Sequence, residues 1–121
     1  MDTKVDVDLM ESLYRRSFLN PLKKFLNLDG SATSRVFKLR EKDKGELSTD
    51  VKSLTTPKKS IVDANKYLLF EIEVSEVVTM GLSAKHDPIE NNPAHSFIWG
   101  MEEEDDIFPG LLARKSKRVT F

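Results

Sequence analysis

Both histidines, the only tryptophan and two of the five prolines of this 121-residue chain fall in one stretch, HDPIENNPAHSFIWG, residues 86–100. These residue types support three kinds of chemistry. As a metal site, His86, Asp87, Glu90 and His95 supply nitrogen and oxygen donors that suit zinc, iron or manganese. Their spacing matches no ligand signature, and the neighbours His86 and Asp87 diverge on an extended backbone, so no metal is expected. As an acid–base pair, Asp87 fixes the tautomer of His95 and leaves its other ring nitrogen open to exchange a proton. That pair needs a nucleophile or a bound substrate, and Ser48, Thr49 and Ser96 are equal candidates for the hydroxyl. As a turn, Asp87 and Asn92 precede prolines and cap the loop through backbone amides, while His95 is a hydrogen-bonded histidine at a strand's head. The turn is the simplest reading and leads.

These residues have to be positioned by a small α+β domain, residues 1–121, with one core. Leu9, Met10, Leu13, Tyr14 and Leu19 recur at helical spacing, with Asp6 or Asp8 to cap them. Asn20-Pro21 interrupts that helix and starts a second, with Leu22, Phe25 and Leu26 inward and the LDGS stretch ending it at Gly30. Two N-terminal helices are therefore predicted, followed by a small mixed or antiparallel sheet from 35–39, 67–74 and 94–101. LSTDVKSL is a further short strand or an ordered loop. YLLFEIEV, residues 67–74, is the longest and most apolar strand and is placed at the sheet's centre. Thr56 caps and Pro57 starts a helix near 57–65; Ser75 caps a short helix through Met80; Pro109 starts a last helix near 109–117. The alternation of His95, Phe97, Trp99 and Met101 puts His95 on an aromatic face where a loop enters the sheet.

RVFKLREKDKGELSTDV and GLSAKHDPIENNPAHSFIWG together resemble a pattern in small uncharacterised bacterial proteins: an arginine-bearing strand, a D-x-G-x-LS step and a D-P-x-x-x-N-P-A-H-x-x-I-x-G step. The likeness covers residues 35–100 and brings no activity, cofactor or partner with it. It implies that Asp43, Gly45, Leu47, Ser48, Asp87, Pro88, Asn92, Pro93, Ala94 and His95 form one unit, and with it a polar cleft lined by Arg40, Ser48, Asp87 and His95. Arg40, whose planar fork suits phosphate or carboxylate, Ser48 and Asn92 are then its candidate ligand-binding residues. Separately, the tail RKSKRVTF is similar to the R-V-x-F segment by which eukaryotic regulators add a strand to protein phosphatase 1. A basic helix end followed by a frayed or strand-paired terminus explains the same residues.

Composition narrows the function classes. Lys plus Arg number 19 against 20 Asp plus Glu, so no whole-molecule field gathers nucleic acid, although a local basic patch is allowed. With no cysteine, disulfides, thiolate zinc sites and cysteine nucleophiles are excluded. No G-x-G-x-x-G or P-loop occurs, and EEEDD, residues 102–106, lacks the glycine of a calcium loop. No cofactor is expected. No apolar run approaches the roughly 18 residues of a membrane span, and the acidic N-terminus has no export pattern, which places the chain in the cytoplasm. The expected function is that of an accessory protein binding a macromolecular partner, a second copy of itself or a small ligand. EEEDD against the basic tail offers complementary patches for a homodimer. The alternative is a small transferase or hydrolase acting on an anionic substrate through Asp87 and His95.

Overall fold

Leu13 and Tyr14 are adjacent and both buried, which a strand achieves only when its two faces are both covered. The computed structural model, which describes residues 5–121, shows that arrangement. A seven-stranded antiparallel sheet contains β1 (Val5–Asp6), β2 (Ser12–Phe18), β3 (Leu47–Val51), β4 (Tyr67–Glu73), β5 (Ser83–His86), β6 (His95–Trp99) and β7 (Lys117–Arg118). Their spatial order is β1-β5-β6-β3-β2-β4-β7.

The two N-terminal helices predicted from the spacing are absent. Leu9 and Met10 are exposed, at 53% and 92%, so the apparent helical stripe breaks at its first members. Leu13 enters the main core while Tyr14 enters a smaller cluster on the opposite face with Leu69 and Ile61. Two adjacent apolar residues on a doubly covered strand thus imitate a helix stripe. The second helix shrinks to one turn, α1 (Leu22–Phe25). Of its apolar residues only Phe25 is buried, and Leu28 beyond it is fully exposed, so nothing holds a second turn against the core.

The strand predicted at 35–39 is corrected as well. Ser34–Phe37 is a 3-10 turn, which lets the neighbours Val36 and Phe37 both enter the main core instead of facing opposite ways. β4 has nearly the predicted extent but is sixth of seven strands rather than central. It matches β2 over seven residue pairs and leaves its other edge to β7, which covers two.

The main core lies on the face carrying Leu13, Leu47, Phe70, Ile72 and Ile98. It is roofed by Val74 and Val77 of α3 (Val74–Thr79), by Leu112 and Ala113 of α4 (Ile107–Lys115), and by the 3-10 turn. The opposite face is covered by α2 (Pro57–Ile61), whose start follows from sequence: Pro57 is its first residue, and the Lys59 amide donates to Thr56 Oγ1 at 3.2 Å. α2 stops early because Val62 takes a left-handed φ of 68°, uncommon for a β-branched residue.

One irregularity of the sheet positions the residues discussed below. β2 pairs with β3 only at Leu13↔Val51 and Tyr14↔Asp50. Beyond Tyr14 the Arg15 side chain takes over from the ladder. Its Nε donates to the Val36 carbonyl at 2.8 Å and its Nη1 to the Ser48 carbonyl at 2.9 Å, tying the 3-10 turn to β3.

Candidate functional site

The HDPIENNPAHSFIWG stretch forms the β5–β6 hairpin. His86 pairs with Ser96, the Asp87 amide donates to the His95 carbonyl at 2.9 Å, and Ile89 and Asn92 exchange two backbone hydrogen bonds around Glu90-Asn91. Both histidines are tied to carbonyls of this loop. Because a carbonyl can only accept, His86 donates through Nε2 to Pro93 at 2.8 Å, and His95 donates through Nδ1 to Asp87 at 2.9 Å. Each contact places a proton on that ring nitrogen. The Asp87 carboxylate stands 3.4 Å from the same Nδ1, so the predicted Asp87–His95 pair is present, with the main-chain carbonyl the closer acceptor.

Strand register extends that pair into a polar row. His95 lies opposite Asp50, Asp50 opposite Tyr14, and Tyr14 opposite Glu71, all on the face away from the main core. Asp50 is the hub. Its carboxylate accepts from Asn92 Nδ2 at 2.8 Å and from Ser60 Oγ at 2.6 Å, while Asn92 Oδ1 accepts the Ala94 amide at 3.2 Å. Asn92 therefore ties the hairpin loop to β3, and Ser60 ties α2 to the same carboxylate. Burial raises the Tyr14 phenol above its ordinary pKa, opposed by nearby Lys52 and assisted by Glu71. Across the sheet's other face Thr49 and Ser96 share a 2.7 Å hydroxyl hydrogen bond. Among the described residues no buried side-chain nitrogen or oxygen lacks a partner, and no three His, Asp or Glu converge as a metal-binding group.

Of the residues assigned to a cleft, Asp87, Asn92 and His95 come together. Ser48 lies on the same face, exposed and opposite Phe97. Arg40 does not join them. It precedes a 3-10 turn at Glu41–Asp43, where the Asp43 carboxylate accepts its amide at 2.8 Å, and its side chain lines a separate recess. Sequence reasoning missed Asp50 and Ser60. The alternation of LSTDV carried the signal for Asp50, once that segment was read as a strand beside β6. The network has the satisfied geometry of a clasp, and Asn92→Ala is expected to cost about 1–2 kcal/mol by removing its bond to Asp50. Urea unfolding measures this; an unchanged midpoint would show that the clasp contributes nothing.

The recess that takes Arg40 is the more distinctive feature. It holds about 370 Å³ beside the second half of β2, where the ladder to β3 has ended. Four guanidinium groups line it: Arg15, Arg16, Arg35 and Arg40. Lys24, Lys38 and Lys42 add three ammonium groups, and Phe18, Phe25 and Tyr67 supply aromatic walls. Among the described residues no Asp or Glu lines it. Burial holds the Arg15 guanidinium down at about 10; Asp43 favours its charge, and Arg40 and Arg16 oppose it. Arg15 is still protonated at neutral pH, within reach of two like charges. Arg16 stacks over the Tyr67 ring, 4.9 Å from its centroid, and donates to the Ser60 carbonyl at 3.2 Å. Of the seven cations, Lys38 alone among the described residues is in an ion pair, 3.9 Å from Asp106.

The basic tail makes its contacts within the chain. Lys117 and Arg118 form β7 on β4, the Val119 amide donates to the Leu69 carbonyl at 2.9 Å, and Val119 packs against the Tyr14–Leu69 cluster. The strand addition suggested by its R-V-x-F likeness is thus made to its own sheet. Among the described residues no helix is long and apolar enough to cross a membrane. Compared with family models, curated proteins and solved structures, the chain matches none of them.

Proposed function

We propose that this protein binds an anionic small ligand in the recess beside β2, and that it acts by binding rather than by turnover. The observation that carries this reading is seven of the chain's 19 Lys and Arg residues lining one concavity without a carboxylate among its described lining. A chain of net charge −1 has enough acid to neutralise such a cluster, so its segregation leaves a local field directed at an anion. Guanidinium groups suit phosphate and carboxylate because their planar forks bond two oxygens at once. A concave recess of this size is on the scale of small-molecule sites rather than of flat protein interfaces. The Asp87–His95 pair stands outside the recess lining, so an anion held there would not meet it.

Titration with sodium tripolyphosphate by isothermal calorimetry tests this. One saturable site is expected, weakening several-fold, roughly, when salt is raised from low to physiological ionic strength. No heat and no thermal stabilisation up to millimolar tripolyphosphate would overturn the proposal.

A further inference from the structure

The same recess carries a feature that an anion site does not need. Phe18 ends β2 with half of its surface exposed, yet it is not an isolated apolar residue. Its ring stands 5.7 Å from that of Tyr67 and 6.2 Å from that of Phe25, and all three line the recess with the cations. Tyr67 already carries a guanidinium, that of Arg16, on one face. An exposed aromatic ring, braced by two others and surrounded by guanidinium groups, is a platform for a flat heteroaromatic ring that is joined to phosphate.

Resting on the anion-binding reading, we infer that the ligand is a free nucleoside di- or triphosphate, its base stacked on Phe18 and its phosphates held by Arg15, Arg35 and Arg40. A nucleic-acid strand shares this chemistry, but two observations favour the free nucleotide. The recess is a single concavity of about 370 Å³ rather than a long track. Lys38 on its wall is paired with Asp106, the last residue of the acidic run EEEDD, which would repel a strand continuing past that side.

The test is calorimetric titration, at one ionic strength, with each of the four common ribonucleoside triphosphates, with tripolyphosphate and with a short single-stranded oligoribonucleotide. Electrostatics alone ranks tripolyphosphate at least level with any nucleotide, since it carries the charge without the ring. A stacked base instead gives at least one nucleotide a lead of about tenfold. Phe18→Ala should abolish that lead while leaving tripolyphosphate affinity within about twofold, and Phe18→Tyr should keep it. Tripolyphosphate binding as tightly as every nucleotide, or a lead that survives Phe18→Ala, overturns the inference and leaves the anion site standing. Failure of all the phosphates to bind removes both. An oligonucleotide bound more than tenfold tighter than any nucleotide overturns it in favour of a nucleic-acid site. Because Phe18 is half exposed, its variants are expected to fold, and their melting curves give the check.

Discussion

The double variant Arg35→Glu, Arg40→Glu should lose tripolyphosphate binding by a factor of about 100 or more while unfolding at no lower a temperature than the wild type. Both residues are exposed and both line the cationic recess, so the two substitutions replace two attractive charges with two repulsive ones where the ligand sits. A hydrogen bond to a charged group contributes about 1.5–3 kcal/mol, and two of them account for the loss before repulsion is added. The stability half of the result has a different origin. Arg40 opposes the charge of the partly buried Arg15, so replacing it with a carboxylate removes a repulsion and supplies an attraction. Binding sites that concentrate one sign of charge are held against their own repulsion, and relieving it commonly gains stability at the cost of function. Calorimetry and a melting curve read the two halves separately. A double variant that binds as well as the parent would remove the recess from consideration, and one that unfolds many degrees lower would show these arginines to be structural.

Phe37→Ala should destabilise the fold by about 3–5 kcal/mol, a large share of what a domain of this size possesses. Phe37 is fully buried in the main core, in the 3-10 turn that also supplies Val36. The cavity left behind would lie beneath the segment whose Val36 carbonyl accepts Arg15 Nε, so the loss should also loosen one wall of the recess. The urea midpoint measures the stability, and tripolyphosphate affinity at low temperature measures the wall. A cost below about 1 kcal/mol would mean that the turn does not contribute to the core as described.

The parts of this fold that were legible in the sequence are those with a local chemical signature. Thr56-Pro57 marks the start of α2 and the alternation after Ala94 gives β6, whereas the short helix over Val74–Thr79 has Glu73 at its N-cap and Ser75 inside its first turn, not capping it as expected. What misled was adjacency. Leu13-Tyr14 and Val36-Phe37 are both adjacent buried pairs, yet the first belongs to a strand covered on two faces and the second to a 3-10 turn with one face inward. Periodicity over so few residues does not separate those cases, because what decides them is whether α2 and α4 arrive to cover a given face. The hairpin pair Asp87 and His95 was found because its residues are close in sequence. The cationic recess was not, since residues 15–18, 24–25, 35–42 and 67 meet only once the sheet has formed. Arg40 was picked for its anion-binding fork, and that chemistry fits the recess, but its partners there are other arginines rather than a histidine.

The strand order also determines how the chain must be assembled in time. Among the described strands only β5 and β6 are hydrogen-bonded neighbours joined by a short loop. β2 meets β4 across a connection of nearly fifty residues, and β3 meets β6 across more than forty, so most of the sheet requires large loops to close before any pairing energy is returned. The protein should therefore refold slowly for its size, in the range of roughly milliseconds to seconds. The β5–β6 hairpin is the segment able to form first, so weakening its Glu90-Asn91 turn should slow refolding in stopped-flow traces. Weakening the β4–β7 edge, which is held by two residue pairs at the end of the sheet, should instead hasten unfolding and leave the refolding rate nearly untouched. The loop that drew attention as a site of chemistry would then matter first as the place where folding starts.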